Sequence, residues 1–330
     1  MSPHTGESVA PVGGKPVRGV LVTGVDAPVG EWLARSLLAD PNIGHIIAVA
    51  PHAERIALPQ SSRLTFLPVE LNKERRVHDL LFGPVRELGV EVVIHAATAG
   101  DATHDSRSAH ALNVDATRSL LALCERHPTI RRFVLRSFAE VYQIEADLPV
   151  LIAEDHPLNL HAGAPQFVRD RVEADLQACV RMGLSPLQIS VLRTAEVLAP
   201  GTGSQMFDYL ASPFCFRPIG YDPMLNLLSL SDVTRALHAS VRATEQGVFN
   251  IPGFDTLPLT LAIRKWGRAS IAVPNSLMTP LYRWRSRLRG AEFRYGMNRR
   301  RFHYSGVLDG RRARDVLGFV PEHGVEWPAG

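Results

Sequence analysis

Val20-Leu21-Val22-Thr23-Gly24-Val25-Asp26-Ala27-Pro28-Val29-Gly30 is the stretch on which the fold turns. It opens as a short apolar, β-branched run, and its glycines stand where a strand must give way to a helix. Glycine at such a turn lets the backbone tighten and then approach a phosphate held at the helix N-terminus. The spacing alone is weak evidence, but it occurs at the first junction of a repeating strand–helix series.

Working outward, apolar runs at Val20–Thr23, His45–Val49, Leu64–Val69, Glu91–Ala96, Arg132–Ser137 and Leu187–Arg193 alternate with helix-period stretches. Those stretches are Gly30–Ala39, Lys73–Leu88, Ser106–Arg126 and Gln166–Met182. Continuous apolar strands joined by helices predict an α/β protein, a Rossmann-type doubly wound parallel sheet over residues 18–193. Past Arg193 the pattern is broken by Pro200, Gly201, Gly203, Pro213, Pro218 and Gly220, so 194–330 reads mainly as a smaller, irregular substrate-binding lobe. Some of its segments are expected to return to the sheet. Residues 1–17 are Gly/Pro/Ser-rich, lack the apolar centre of a signal peptide and read as a flexible tail.

Composition removes several function classes. A chain of 330 residues that is 45% apolar and 21% charged is neither disordered nor a disulfide framework. Its 36 basic and 33 acidic residues give +3, which offers no global pull toward nucleic acid, and none is expected as a partner. Lys15, Lys73 and Lys265 are its three lysines, so chemistry that needs a lysine has three candidates. Cys124, Cys179 and Cys215 are odd in number and widely spaced, which fits neither a disulfide scaffold nor a zinc site. No metal is expected, and a reducing cytoplasm is the expected compartment.

Further motifs follow in order. His95-Ala96-Ala97 matches H-x-A-A, Asn113-Val114-Asp115-Ala116-Thr117 matches N-V-x-G-T, and Val141-Tyr142 matches the start of V-Y-G. Leu192-Arg193 with Pro200-Gly201, Ser231-Asp232-Val233, Phe249-Asn250 and Leu317-Gly318-Phe319 with Pro321 continue the series. With Thr23-Gly24 and Gly30, this set resembles the extended short-chain dehydrogenase/reductase family, of the NAD-dependent epimerase/dehydratase type, over roughly Val17 to Pro328. The resemblance implies NAD or NADP held by Thr23, Gly24, Ala27, Val29, Gly30, Ala96, Ala97 and Asn113. It also implies a small-molecule substrate such as a nucleotide-linked sugar, and a homodimer formed through Ser106–Arg126 and Gln166–Met182.

Departures from the family pattern carry as much information. Ala27 stands at the middle glycine of the loop. Ala50 replaces the strand-two Asp that binds the ribose of NAD, while His52 and Arg55 stand where a 2′-phosphate would lie, so NAD and NADP both remain open. Glu70 takes the place of the Asp that meets adenine.

The family's chemistry uses Ser or Thr, Tyr and Lys, the phenol acting as acid or base with its pKa lowered by the ammonium. Aligned on Val141-Tyr142, the Ser/Thr position falls on Phe138. Taking Glu173 as the carboxylate four residues after the Lys places Pro165 at the Tyr position and Arg169 at the Lys position, where the guanidinium would hold the cofactor's ribose. The standard chemistry then reads as lost, leaving a non-catalytic or atypical member. The alternative is an active epimerase, dehydratase or oxidoreductase using Glu140, Tyr142 or Ser137. For Glu140 a general base competes with a helix-start carboxylate, and for Ser137 a substrate contact competes with a hydroxyl bonded at the strand end.

From Arg283 to Arg301 eight arginines face Glu292 alone, a local charge of +7. Arg283 and Arg285, with Arg193, are candidates to clamp a substrate diphosphate. Two other functional readings of the stretch are a membrane surface, with Trp284 and Tyr282 in the interface, and a partner macromolecule. A solvated, salt-bridged helix face is the fourth.

Overall fold

The structure is a computed structural model that describes residues 15–52, 58–99, 107–289 and 293–328. The expected amino-terminal tail therefore falls almost wholly outside the described residues, as does Arg55.

Seven parallel strands form the main sheet: β1 (Val17–Thr23), β2 (Ile43–Ala50), β3 (Leu64–Pro68), β4 (Val92–His95), β5 (Arg132–Phe138), β6 (Gln188–Thr194) and β7 (Gly247–Ile251). Their order is β7-β6-β5-β4-β1-β2-β3, doubly wound from β1 at its switch point. The six strands expected from the apolar runs are present, and β7 is a segment from beyond Arg193 that pairs with β6 through Val248 and Val191. Alternate residues of each strand feed opposite cores. Val20, Val22, Ile46 and Ala48 pack on α1 (Pro28–Ala39), while Leu21, Ile47 and Val49 share a core with residues of α2 (Glu74–Leu80) and α4 (Ala116–Cys124). Burial on both faces is why these strands read as unbroken apolar runs.

Two helices differ from the periodicity. Lys73–Leu88 does not run as one helix: α2 ends at Leu80 and a wide turn, Leu81–Val85, follows, because Gly83 leaves helical geometry and Pro84 has no N–H to donate. Likewise α3 (Arg107–His110) and α4 are separated by a π turn over Ala111–Asp115. The helix α5 (Gln166–Cys179) lies beside them.

The second lobe is built on aromatic packing. Tyr209, Phe216, Tyr282, Phe293, Tyr295 and Phe302 are all buried, meeting edge to face or at a tilt except for the stacked Tyr282 and Tyr295, with Tyr209 and Phe302 centroids 4.9 Å apart. Two small sheets flank them, Met224–Leu228 with Asp255–Pro258 and Glu196–Val197, and Phe214–Pro218 with Ala269–Val273. Among the described residues no helix is long and apolar enough to cross a membrane.

Candidate functional site

The loop between β1 and α1 is held by two glycines for different reasons. Gly24 has φ +78°, and a Cβ on it would sit 2.5 Å from Ala97 Cα. A Cβ on Gly30 would lie 2.2 Å from the Gly24 carbonyl oxygen, so α1 can rest on the loop only with hydrogen there. Ala27 is the extended N-cap of α1 and Pro28 its first residue, with no side chain capping the helix. The amides of Val29 and Gly30, in the first turn, therefore have no intrahelical partner and suit an anion.

Thr23 braces this loop from within. Its hydroxyl donates to His95 Nδ1 (2.8 Å) and accepts from the Ala97 amide (3.2 Å). His95 Nε2–H then donates to Thr117 (3.1 Å), whose hydroxyl donates to the Asn113 carbonyl (2.7 Å). Burial pushes His95 down to about 4, so the ring is neutral and carries its proton on Nε2. The Asn113 side-chain oxygen accepts from Thr98 (3.1 Å) and from the Ala99 amide (2.8 Å), which holds the chain leaving β4. Thr23 and Asn113 thus shape the loop floor through protein partners. At the far end, Ala50 is buried and His52 exposed, and Lys73 lies 2.8 Å from Glu70 and holds its carboxyl below the usual range.

Three residues expected at the chemistry are instead tied into a buried network. Ser137 Oγ donates to Asp175 (2.5 Å), and Arg193 makes two further bonds to the same carboxylate (2.6 and 3.0 Å). Tyr142 OH donates to Asn250 (2.6 Å) and accepts from Arg193 (3.0 Å). Burial raises the Tyr142 phenol to about 12, against the opposing effect of Arg193. Arg193 itself would be lowered by burial, yet the Asp175 bonds hold it above its ordinary value. Asp175 is 0% and Arg193 4% exposed. Arg193 is held inside this network rather than in a cavity, while Ser137 and Tyr142, though bonded to protein, also border cavities of the cleft; together these residues join β5, β6, β7 and α5.

A second correction concerns α5. Arg169 is exposed and bonds the Ala162 and Ala164 carbonyls near its own helix start, so it does not face the cleft. Arg171 does. Its guanidinium carbon lies 3.6 Å from the Phe138 ring centroid and 3.9 Å from that of Phe167, and it pairs with Glu140 at 3.1 Å. Arg136 also lies against Phe138, at 4.9 Å. Arg301 bridges Glu140 (3.3 Å) and Glu196, and Glu196 accepts as well from Ser204 and the Met206 amide, both at 2.7 Å. Glu140 is thus held by two guanidiniums beside a cavity of about 300 Å³ that Asn159, His161, Phe167, Arg299 and Arg300 also line.

The arginine-rich stretch divides. Arg285 is buried, donating to Ser212 and the Phe214 carbonyl, which corrects its assignment as a substrate contact. Tyr282 is buried too, its hydroxyl bonded to Phe216, so it cannot lie in a membrane interface. Arg283 and Arg287 are exposed beside Trp284 on the helix Asn275–Arg289, while Arg300 pairs with Glu145.

Residues 20–166 match the model of the NAD dependent epimerase/dehydratase family. An uncharacterized protein of Mycobacterium tuberculosis (strain ATCC 25618 / H37Rv), Rv0501, is 31% identical over 311 residues, covering 92% of this chain and 80% of the relative. The chain belongs to the NAD-dependent epimerase/dehydratase family. Among solved structures of this epimerase/dehydratase fold, MoeE5 in complex with UDP-glucuronic acid and NAD superposes with TM-score 0.67 at 21% identity, covering 93% of this chain and 94% of that one. UDP-glucuronic acid 4-epimerase from Bacillus cereus in complex with NAD gives 0.68 at 16%, covering 93% and 92%.

Sequence reasoning missed Asp175, Arg171 and Phe167, because Pro165, Arg169 and Glu173 have the same four-residue spacing. Phe167, Arg171 and Asp175 recur every four residues and so share one helix face. Choosing Glu173 as the helix carboxylate shifted that register by two.

Proposed function

We propose that this epimerase/dehydratase-family protein binds NAD or NADP along the Gly24–Gly30 loop and a nucleotide-linked sugar in the adjoining cleft, without the family's standard proton-transfer chemistry. The Arg171 guanidinium between the Phe138 and Phe167 rings carries this reading. Phe167-x-x-x-Arg171 has the spacing of Tyr-x-x-x-Lys, with Asp175 four residues on, and Phe138 stands at the Ser/Thr position. A phenyl ring in place of each hydroxyl removes both the proton donor and the substrate hydrogen bond.

The residues fit one half of the dinucleotide. The uncapped start of α1 and the Gly24 and Gly30 contacts, which a methyl group would fill, suit a pyrophosphate. With no carboxylate at Ala50, nothing there favours NAD over NADP. A bound nicotinamide would supply a hydride acceptor, but Glu140, the acid nearest the stack, is committed to Arg171 and Arg301. The 300 Å³ cavity rimmed by Arg299 and Arg300 suits the diphosphate of a sugar nucleotide. A homodimer through the outer face of α5 accounts for the groove lined by Leu160, Val172, Leu176 and Val180, with Val180 65% exposed. The protein is read as cytoplasmic, and membrane contact through Arg283 and Arg287 as secondary.

Thermal-shift titration with NAD and with NADP, followed by incubation with UDP-glucose, tests the reading. A dinucleotide-dependent rise in Tm with no product is expected. Epimerised or dehydrated product that disappears in Glu140→Gln would overturn the loss of chemistry, and no response to either dinucleotide would overturn binding.

A further inference from the structure

Arg136 is the unusual charge in this molecule. It is 6% exposed at the C-terminal end of β5, and among the described residues no carboxylate pairs with it. Its Nε has no hydrogen-bond partner, and neither does the Nε of Arg171, itself 5% exposed. The buried cluster around them holds three guanidiniums, Arg136, Arg171 and Arg301, against two carboxylates, Glu140 and Glu196. One positive charge is left over where water is scarce. Burial, reinforced by Arg171 and partly offset by the charge of Glu140, lowers Arg136 to about 9, so it stays a cation at neutral pH.

An isolated buried cation is costly unless a counter-charge reaches it. The space for one exists. A cavity of about 20 Å³ is lined by Arg136, Arg171, Phe138, Asn113 and Thr98. That is room for one small ion or one carboxylate group, not for an inorganic phosphate with its shell. Asp175 also borders it but is already bonded to Arg193 and Ser137.

We infer that Arg136 and Arg171 form a binding site for a small monovalent anion, a carboxylate or an inorganic ion of similar size, at the end of β5. Phe138 sets its selectivity by closing the space to larger oxyanions and by stacking both guanidiniums against its ring. The cavity shares Ala97 and Asn113 with the proposed dinucleotide site but none of the Gly24–Gly30 loop, so the anion response is read on protein free of dinucleotide. The carboxylate can come free from solution or as the acid group of a larger ligand.

The experiment is thermal melting of the full chain at constant ionic strength, replacing potassium methanesulfonate, a tetrahedral oxyanion without a carboxylate, with potassium formate. The wild type should gain several degrees, as for any ligand that binds only the folded state. Arg136→Met should melt above the wild type in methanesulfonate, because an unpaired cation has been removed, and should not respond to formate. No formate-dependent rise in the wild type, or an equal rise in Arg136→Met, overturns the site. Chloride NMR line broadening by wild-type protein, reversed by stoichiometric formate, tests the same site without a variant, and no reversible broadening also overturns it. UDP-glucuronic acid binding at least tenfold tighter than UDP-glucose, with the difference lost in Arg136→Met, assigns the carboxylate to the ligand. Equal affinities alongside a formate response assign it to a free anion. NAD titration run in parallel separates failure of this site from failure of dinucleotide binding.

Discussion

His95 gives the sharpest test of how the loop floor is built. It is fully buried, and its ring is held neutral between Thr23 and Thr117 with a pKa of about 4, against an ordinary value of 6.5. The unfolded chain therefore takes up a proton at this residue as pH falls through 6.5, while the folded protein waits until about 4. Stability from His95 is full above pH 6.5, declines between 6.5 and 4, and is gone below. At about 1.4 kcal/mol per pKa unit the loss is about 3.5 kcal/mol, or roughly 5 °C in Tm for a chain of this size. His45, His127 and His238 are also lowered by burial and add to the slope, whereas His110, raised by its bond to Asp170, opposes it. The discriminating measurement is therefore a difference: Tm of wild type and of His95→Gln from pH 7.5 to 4. His95→Gln should be less stable at neutral pH, but its curve should fall less steeply, so the two converge in acid. Parallel curves would refute the neutral, buried assignment.

Three other outcomes follow from the geometry. Asp175→Ala leaves the Arg193 guanidinium buried without its counter-charge and should cost about 3–5 kcal/mol in urea denaturation, while Asp175→Leu with Arg193→Met should recover most of it; additive losses would mean the pair is not coupled. Gly30→Ala forces a methyl group to 2.2 Å from the Gly24 carbonyl and should lower Tm by several degrees and abolish the NAD or NADP response, whereas Gly163→Ala, with nothing within 4 Å of its Cβ, should leave Tm unchanged. If α5 forms the dimer face, Val180→Glu should shift the light-scattering mass toward that of a monomer without changing Tm of the isolated subunit; an unchanged mass would place the interface elsewhere or show that there is none.

Much of the fold was legible because its cause is local. Ile46, Ile47, Ala48 and Val49 are buried on both sheet faces, so the apolar run is visible before any neighbour is known. Gly24 and Gly30 were legible for the same kind of reason, since a turn and a close approach exclude a side chain. The helix breaks at Pro84 and Asn113 were less visible, because hydrophobic periodicity continues across them. In the site, Phe138 was found because Val141-Tyr142 anchors it along a strand, but Arg169 was preferred to Arg171 by a two-residue choice that nothing in the spacing decided.

By itself, the sequence determined that strands and helices alternate and that a glycine loop opens the first helix, and it supplied the expectation, carried into our proposal, that the family's hydroxyls are missing. Burial, charge pairing and orientation depended on the tertiary structure. Ser137, Tyr142 and Arg193 are chemically able to act on a substrate, and their polar atoms are already engaged because Asp175 and Asn250, 38 and 108 residues away from their first partners, bond them inside the sheet. Arg136 shows the converse, an ordinary surface charge in the sequence that is buried with no carboxylate at ion-pair distance among the described residues. Side-chain identity fixes what a group can do, but its neighbours across the fold fix its solvation and partners, and those decide whether it does it.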